Sequence, residues 1–280
     1  MKRSLVVLGL LSAALLVSPA AQAKSASGKP QASGSFSSKT GEFDVVGAYA
    51  LPGKTGTDDQ PGILVAVSNA GFVTEILDHY WDREHFINTS FADDETAVVW
   101  LQFDAKGKYR GMSYYFGSGD GCGFCFDPDT ASTVKLSGGH IAGRVAHKNP
   151  KGATFDVTFD VPVASTDYGK ALPADGGEPG QVYRSFHQAV AGGDAAALKP
   201  LLGKERQGFL QERTAAFISF LQDSHPDTYK LTRGFVSGDH ALLLVSGEKN
   251  PLGKVHTEAH LIREGGHWVV DDEILQTGDE

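Results

Sequence analysis

Two hydrophobic patterns divide the chain. Between residues 41 and 164, apolar and polar residues alternate in short segments, most clearly from Thr154 to Val161. This period of two predicts antiparallel strands with one buried face and one face in water. A helical apolar stripe from Val73 to Ile87 interrupts them. The region is therefore predicted to be a mostly β domain, a sandwich or strongly curved sheet that carries one helix.

After residue 179 the apolar spacing becomes helical, as in the stripe Val182, Phe186 and Val190. A single long helix is expected from Glu205 to Gln222, and four strands follow between residues 229 and 274. Helices followed by a meander predict an α+β layer with a curved sheet wrapped on the helices. The predicted domains are therefore 41–164 and 179–280. Polar stretches at 24–40 and 165–178 predict a flexible tether and a linker.

The first 23 residues form a third pattern. Lys2 and Arg3 precede an apolar run from Leu5 to Val17, and a small-x-small sequence ends at Ala23. These features predict a secretory signal peptide, and the run is too short for a comfortable bilayer span. We expect an exported protein, periplasmic or secreted after cleavage near Ala23, with no stable membrane anchor.

Charge limits the expected partners. The chain carries a formal net charge of −9, and cleavage would remove two basic residues and no acidic one. Such a protein repels nucleic acid and anionic lipid at long range. The expected partner is an envelope protein or a small ligand, without nucleic acid, and a homodimer through the C-terminal sheet is compatible with the pattern. Hydrolase-elbow, phosphate-loop and dinucleotide motifs are absent from the sequence, and no cofactor is expected.

Cys122 and Cys125 are the two cysteines of the chain. In an oxidising compartment, a pair this close predicts a local disulfide. A redox-active pair would need a thiolate stabilised at a helix N-terminus, whereas this pair follows a strand-like run. A zinc site would need two further ligands at a recognisable spacing.

The final strand, from Gly265 to Glu273, resembles the NTF2-like (cystatin-like cone) superfamily, and so do the segments 177–186 and 191–194. The resemblance covers residues 177–280. The 138–144 hairpin and the 154–162 strand resemble the front domain of secreted bacterial proteins of unknown function. The first resemblance implies a cone that in some members holds a pocket with an Asp or His base and a Tyr or Asp donor. Side chains of those types are the candidate ligand-binding residues: Tyr183, His187, Asp271 and Asp272.

His256, Glu258 and His260 form the most suggestive cluster, since all three would leave one face of a single strand. At about 3.3 Å per residue the two histidines stand roughly 13 Å apart. Because an imidazole with its metal bond reaches only about 5–6 Å, both cannot comfortably hold one ion on a straight strand. A metal site would need Glu258, one histidine and ligands from elsewhere. This face is expected to be solvated or to lie at an oligomer contact.

Modular domains without a coherent catalytic set favour a non-enzymatic protein, a binding or protein-interaction module in the cell envelope. The alternative is a small-molecule carrier or enzyme that uses a pocket in the C-terminal cone. A cone filled by Phe, Leu and Trp side chains would favour the first hypothesis, whereas convergent polar groups in a cavity would favour the second.

Overall fold

The computed structural model describes residues 32–39, 41–90, 96–115, 121–149 and 152–278. The predicted signal peptide lies outside these residues. The described residues form antiparallel sheets with helices in two groups. The strands before residue 130 are β1 (Ala32–Ser37), β2 (Glu42–Val45), β3 (Gly47–Thr55), β4 (Gln60–Ser68), β5 (Val98–Asp104), β6 (Tyr109–Tyr115) and β7 (Gly121–Cys125). The later strands are β8 (Ala131–Ser132), β9 (Lys135–Ser137), β10 (His140–His147), β11 (Thr154–Pro162), β12 (Lys170–Ala171), β13 (Thr228–Ser237), β14 (His240–Lys249), β15 (Gly253–Glu264) and β16 (His267–Thr277). The helices are α1 (Thr74–Leu77), α2 (Arg83–Ser90), α3 (Gly177–Gly192), α4 (Ala195–Leu198), α5 (Lys204–Glu212) and α6 (Thr214–Ser224), with a 3-10 turn at Lys199–Leu201.

Two sheets enclose the first hydrophobic core. One has the strand order β2-β1-β11-β10-β8, with β9 beside β10, and the other is the meander β3-β4-β5-β6-β7. Buried side chains of both sheets, among them Phe36, Phe103 and Phe159, pack in a single cluster. The alternation predicted for 154–161 is confirmed, since the apolar residues of β11 are buried and the intervening ones are not. The described part of this region is mostly antiparallel β, as predicted.

The third sheet has the order β12-β13-β14-β15-β16 and carries α3 to α6 on one face. The predicted meander of four strands is confirmed. Asp194 caps α4, as its side chain accepts bonds from the N–H groups of Ala196 and Ala197. Large apolar side chains fill the space between helices and sheet: Phe186, Leu198, Leu202, Leu221, Leu243, Leu261 and Trp268.

The tether predicted for residues 24–40 is wrong for its last part. Strand β1 lies within it and pairs with β11 on one side and β2 on the other. Ala32 and Phe36 are buried, and these few apolar positions suffice because both edges of the strand are hydrogen-bonded. The glycine- and serine-rich composition has a low strand propensity, so the sequence did not predict a strand here. The strand forms because pairing with two neighbouring strands outweighs that low propensity. The linker 165–178 similarly contains β12, which pairs with β13.

Two helices predicted as continuous are each broken. The helix predicted from Val73 to Ile87 is divided into α1 and α2, and residues 78–82 form turns between them. The helix predicted from Glu205 is divided at Arg213, whose φ of −139° and ψ of 47° lie outside the helical region. A stripe of apolar residues can continue in the sequence across a short non-helical stretch, so the pattern predicted neither break. Within the described residues, no helix is long and apolar enough to cross a membrane.

Candidate functional site

A segment of the first region lies against the third sheet, on the face opposite its helices. This junction segment, Asp78–Arg83, consists of the turns between α1 and α2 and the first residue of α2. The Tyr80 hydroxyl donates to Oδ2 of Asp272 at 2.9 Å, and its ring packs on His260 with centroids 4.2 Å apart. Glu258 and His260, on the covered face, are both buried. The expectation that this face is solvated or at an oligomer contact is therefore wrong, because the same chain covers it.

Glu258 holds the start of α2 in place. Its carboxylate accepts the backbone N–H groups of Trp81 and Asp82, and one of its oxygens lies 2.8 Å from Nε2 of His260. The Asp82 side chain accepts the His85 N–H at 3.0 Å, as an N-cap residue does. N–H groups at a helix start lack intrahelical partners and favour a negative charge. The carboxylate of β15 thus explains why the helix breaks here.

Arg83 anchors the other side of the junction segment. Its guanidinium donates to the carbonyl oxygens of Tyr80 at 3.0 Å and Asp78 at 2.8 Å, and lies 5.1 Å from the ring centroid of Tyr168. The residue is buried although its partners are neutral carbonyl groups and a ring. Its donors are used to fix the turn, which makes Arg83 a structural cation.

A cleft of about 490 Å³ lies beside this segment. Asp78, His79 and Tyr168 line it from one side, and His240 and Asp271 from the third sheet. The rings of His79 and His240 stack with centroids 3.8 Å apart and planes 12° from parallel. We call this space the junction cleft.

The junction cleft has an acidic lining. Glu75, Asp78, Asp167 and Asp271 supply carboxylates, and among its described lining residues Arg83 is the only lysine or arginine. Burial, and then the charge of Asp272 beside it, raise the pKa of Asp271. Burial, followed by the neighbouring His240, lowers the pKa of His79 and favours the neutral imidazole. The cleft therefore offers mostly hydrogen-bond acceptors and negative charge.

A larger groove of about 920 Å³ lies on the other side of the junction segment. Its lining mixes Lys54 and Arg233 with Asp82 and Glu84. The Arg233 guanidinium lies 5.7 Å from the ring centroid of Trp81. Because basic and acidic side chains are mixed in this lining, the groove favours neither a cationic nor an anionic ligand as clearly as the junction cleft favours a cation.

The predicted metal residues are only partly brought together. Glu258 and His260 are hydrogen-bonded, but Nε2 of His256 lies 2.7 Å from Oε1 of Gln276 instead. Both carboxylate oxygens of Glu258 already accept backbone N–H groups. In the part of the chain that the structure describes, no group of three or more His, Cys, Asp or Glu side chains is arranged to hold a metal ion.

The four candidate ligand-binding residues do not share one pocket. Tyr183 is buried on the helix side of the sheet and donates its hydroxyl to Glu273, while His187 contacts His225. Asp272 bonds to Tyr80 on the other side, and Asp271 lines the junction cleft. Sequence reasoning missed His225, Glu273 and the junction segment. Of these, only Glu273 could have been found from the sequence, because alternation along its strand places it on the inward face. Nothing local in the sequence pointed to His225 or to the junction segment.

Cys122 and Cys125 form the predicted disulfide, with Cα atoms 6.0 Å apart. The pair belongs to β7, a strand at the edge of its sheet, where it joins residues three apart. Both cysteines are partly buried and pack against the first core. The bridge constrains the end of the sheet next to that core.

Comparison with known proteins adds little. No family model matches the sequence, and no curated protein matches it. Among solved structures, a DUF4783 family protein from Bacteroides ovatus is similar to 34% of this chain over 94% of its own length, with 11% identity and a TM-score of 0.27.

Proposed function

We propose that the protein is a non-enzymatic binding module, exported to the cell envelope, whose ligand site is the junction cleft. The observation that carries the proposal is the placement of polar groups in this structure. The helix side of the third sheet is filled by Phe186, Leu243 and Trp268, whereas the opposite side leaves a 490 Å³ cleft lined by ionisable groups. Ligand sites are concave and combine apolar walls with a few convergent polar groups.

The chemistry of the lining favours a cationic ligand. Four carboxyl groups line the cleft against one guanidinium, that of Arg83, so the lining carries an excess of negative charge. The negative charge of the whole chain adds long-range attraction for a basic partner. The recognised group is thus an ammonium or guanidinium, presented by a basic peptide or by a small polyamine.

The proposal includes the NTF2-like assignment of residues 179–280. It is supported by the element order, helices α3 to α6 followed by the β13–β16 meander. Large apolar side chains fill the interior around Tyr183, His225 and Glu273, whose polar groups bond to one another. This packing supports the binding module over a carrier or enzyme with a pocket inside the cone. A homodimer through the third sheet could not use the face that α3–α6 cover, and on the other face it would have to form beside the junction segment.

Export is proposed on two features. One is the signal peptide predicted for the first 23 residues, and the other is the disulfide, which forms and persists in oxidising compartments. Fractionation of cells that express the full sequence, with N-terminal sequencing of the product, tests the export. Recovery outside the cytoplasm with a start at Lys24 is expected, and an uncut cytoplasmic product would refute it.

Calorimetry on the chain from Lys24 to Glu280 tests the cleft. The probes are spermidine and an unstructured Lys-Gly repeat peptide, and a Glu-Gly repeat of the same length and opposite charge is the negative control. We expect saturable binding of one cationic probe, weakened about tenfold or more by Asp271→Asn together with Asp78→Asn. Which probe binds distinguishes an amine from a peptide. Equal weakening by Asp129→Asn, in a loop of the first region, would refute a site in the cleft, as would a lack of binding by both probes.

A further inference from the structure

Three histidines line the junction cleft beside its carboxyl groups: His79 in the junction segment, His240 at the start of β14 and His260 on β15. The negative charge of the cleft comes from the carboxyl groups, so the function proposed above does not use the histidines. Imidazole is the side chain whose ordinary titration lies closest to neutral pH. Imidazoles in the wall of a cation site therefore make the charge of that site depend on pH.

His79 and His240 form a pair across the junction. Their rings stack with centroids 3.8 Å apart, one ring from the first region and one from the third sheet. His79 is half-buried and His240 is exposed. Within the described parts of the chain, no hydrogen bond or salt bridge joins either ring to a carboxylate. A proton on either ring therefore adds a positive charge that no directly bonded group matches.

His260 differs from this pair. Its Nε2 lies 2.8 Å from Oε1 of Glu258, and its ring is covered by that of Tyr80, with centroids 4.2 Å apart. Both His260 and Glu258 are buried. A charge on His260 would be matched by the carboxylate bonded to it. The stacked pair, and not His260, is therefore the part of the lining whose charge changes without compensation.

The groups around the pair are mostly acidic. The other titratable groups of this surface are Glu75 on α1, Asp78, Tyr80 and Arg83 in the junction segment, Asp167 and Tyr168 in the linker, Asp239 beside His240, Glu258 and His260 on β15, and Asp271 and Asp272 on β16. Their carboxylates attract a proton on the histidines as well as a cationic ligand. Proton and ligand thus compete for the same negative charge.

We propose that the stacked pair of His79 and His240 links cation binding in the junction cleft to protons, so that acid releases the ligand. The inference rests on the proposed function, because it takes the cationic ligand of this cleft as given. Each proton on the pair raises the charge of the lining by one, whichever ring receives it. That charge repels an ammonium or guanidinium group inside the cleft. By reciprocity, binding of the cation releases protons from the pair.

The pKa shifts in the cleft act in the same direction. Burial, and then the charge of a protonated His240, lower the pKa of His79, while Asp78 acts in the opposite direction. Partial burial, and then the charge of Asp272, raise the pKa of Asp271, so this carboxyl also takes up a proton more readily than an ordinary aspartate. Acid therefore adds positive charge at the histidines and removes negative charge at Asp271. Both changes weaken the binding of a cation.

Calorimetry on the chain from Lys24 to Glu280 tests the linkage, with spermidine and with a Lys-Gly repeat peptide whose N-terminus is blocked. Lysine amines titrate at about pH 10, so the charge of the peptide stays constant over the range used. We expect the affinity of the probe that binds to fall about tenfold between about pH 7.5 and about pH 5.5. At about pH 6.5 the binding should release protons, measured as a heat that depends on the ionisation heat of the buffer.

His79→Gln together with His240→Gln removes both titrating rings. In this variant the ratio of the affinities at the two pH values should fall to about threefold or less, and the proton release by at least half. The remainder belongs to Asp271. His267→Gln, an exposed histidine outside the cleft lining, should keep both effects. Each variant is compared with itself at two pH values, so a change in its affinity at neutral pH does not affect the ratio.

Three outcomes would overturn the inference, and they are distinguishable. Binding at about pH 7.5 without proton release at about pH 6.5 would refute the linkage but leave the cleft as a cation site. An undiminished pH dependence in the double histidine variant would show that other groups titrate, and it too would leave the site standing. Failure of both probes to bind at about pH 7.5 would refute the cation site and the linkage together.

Discussion

The hydroxyl of Tyr80 donates a 2.9 Å hydrogen bond to Asp272, 192 residues further along the chain. This bond joins the turn between α1 and α2 to the last strand of the third sheet. Tyr80 is buried, and its ring packs on His260 and on Phe86. Burial, and then the Asp272 carboxylate, strongly raise the pKa of Tyr80, so the hydroxyl remains a donor.

Removing this donor should weaken the junction measurably. Tyr80→Phe keeps the ring but leaves Oδ2 of Asp272 without its donor, so we expect the free energy of unfolding to fall by about 1–2 kcal/mol. Urea denaturation measures the change. In a double-mutant cycle with Asp272→Ala, the two effects should be strongly non-additive. Additive effects would show that the two side chains are not energetically coupled.

Glu258 should matter more, because it serves three donors. Glu258→Ala leaves the N–H groups of Trp81 and Asp82 and the ring of His260 without their acceptor. We expect a loss of about 3 kcal/mol or more in the free energy of unfolding, and a smaller loss for Glu258→Gln, which keeps one acceptor oxygen. Denaturation of Glu264→Ala, at the end of the same strand, should change by no more than about 0.5 kcal/mol. Similar losses for Ala at both positions would refute a special role for Glu258.

Periodicity predicted the elements but not the junction. The alternation in β11 and the glycine turns of the last four strands follow from local sequence, and so does the adjacency of Glu258 and His260, two residues apart on one strand. Their burial depends on a segment near residue 80, and no local pattern connects the two. The break between α1 and α2 was not predicted for the same reason. The carboxylate that accepts the N–H groups of Trp81 and Asp82 at the break belongs to Glu258, far away in the sequence.

In the candidate site, too, the sequence predicted individual residues but not the contacts between residues that are distant in the sequence. Tyr183 and His187 were identified from residue type and helix position, but their partners Glu273 and His225 come from β16 and the loop after α6. The Asp272 side chain lies on the opposite face of the sheet, where it accepts the hydrogen bond of the Tyr80 hydroxyl. The strand β1 was missed because its pairing with two neighbours, rather than its composition, holds it in place.

The disulfide should contribute modestly to stability. It closes a loop between residues three apart, so the chain-entropy argument gives about 2 kcal/mol or less. Cys122→Ala with Cys125→Ala should lower the free energy of unfolding by that amount, as should reduction of the unaltered protein. Denaturation with and without reductant measures both. Unchanged stability in both experiments would show that the bridge does not restrict the unfolded chain.

Asp271→Asn should stabilise the protein while weakening its ligand binding. The pKa of Asp271 is raised, so between the unfolded value near 3.8 and the folded value the native state binds more protons. The free energy of unfolding therefore falls as pH rises through that window. Above the window, the ionised Asp271 carboxyl destabilises the folded state. Asp271 is exposed to solvent, which screens the effect. We therefore expect a gain of no more than a few tenths of a kcal/mol at neutral pH and none below about pH 3.5, from urea denaturation at both pH values. A destabilised Asn variant at neutral pH would refute the assigned cost.

Acid should destabilise the fold through His187 and His79, whose pKa values are both lowered. Between their folded pKa values and the unfolded value near 6.5, the unfolded chain binds more protons, so the free energy of unfolding falls as pH decreases through this window. For His187, burial and the charge of His225 are the causes. Denaturation from about pH 8 to pH 5 should therefore show a slope that His187→Gln reduces and the exposed variant His267→Gln leaves unchanged. If His187→Gln left the slope intact, the pair formed by His187 and His225 would not bind the proton that acid adds.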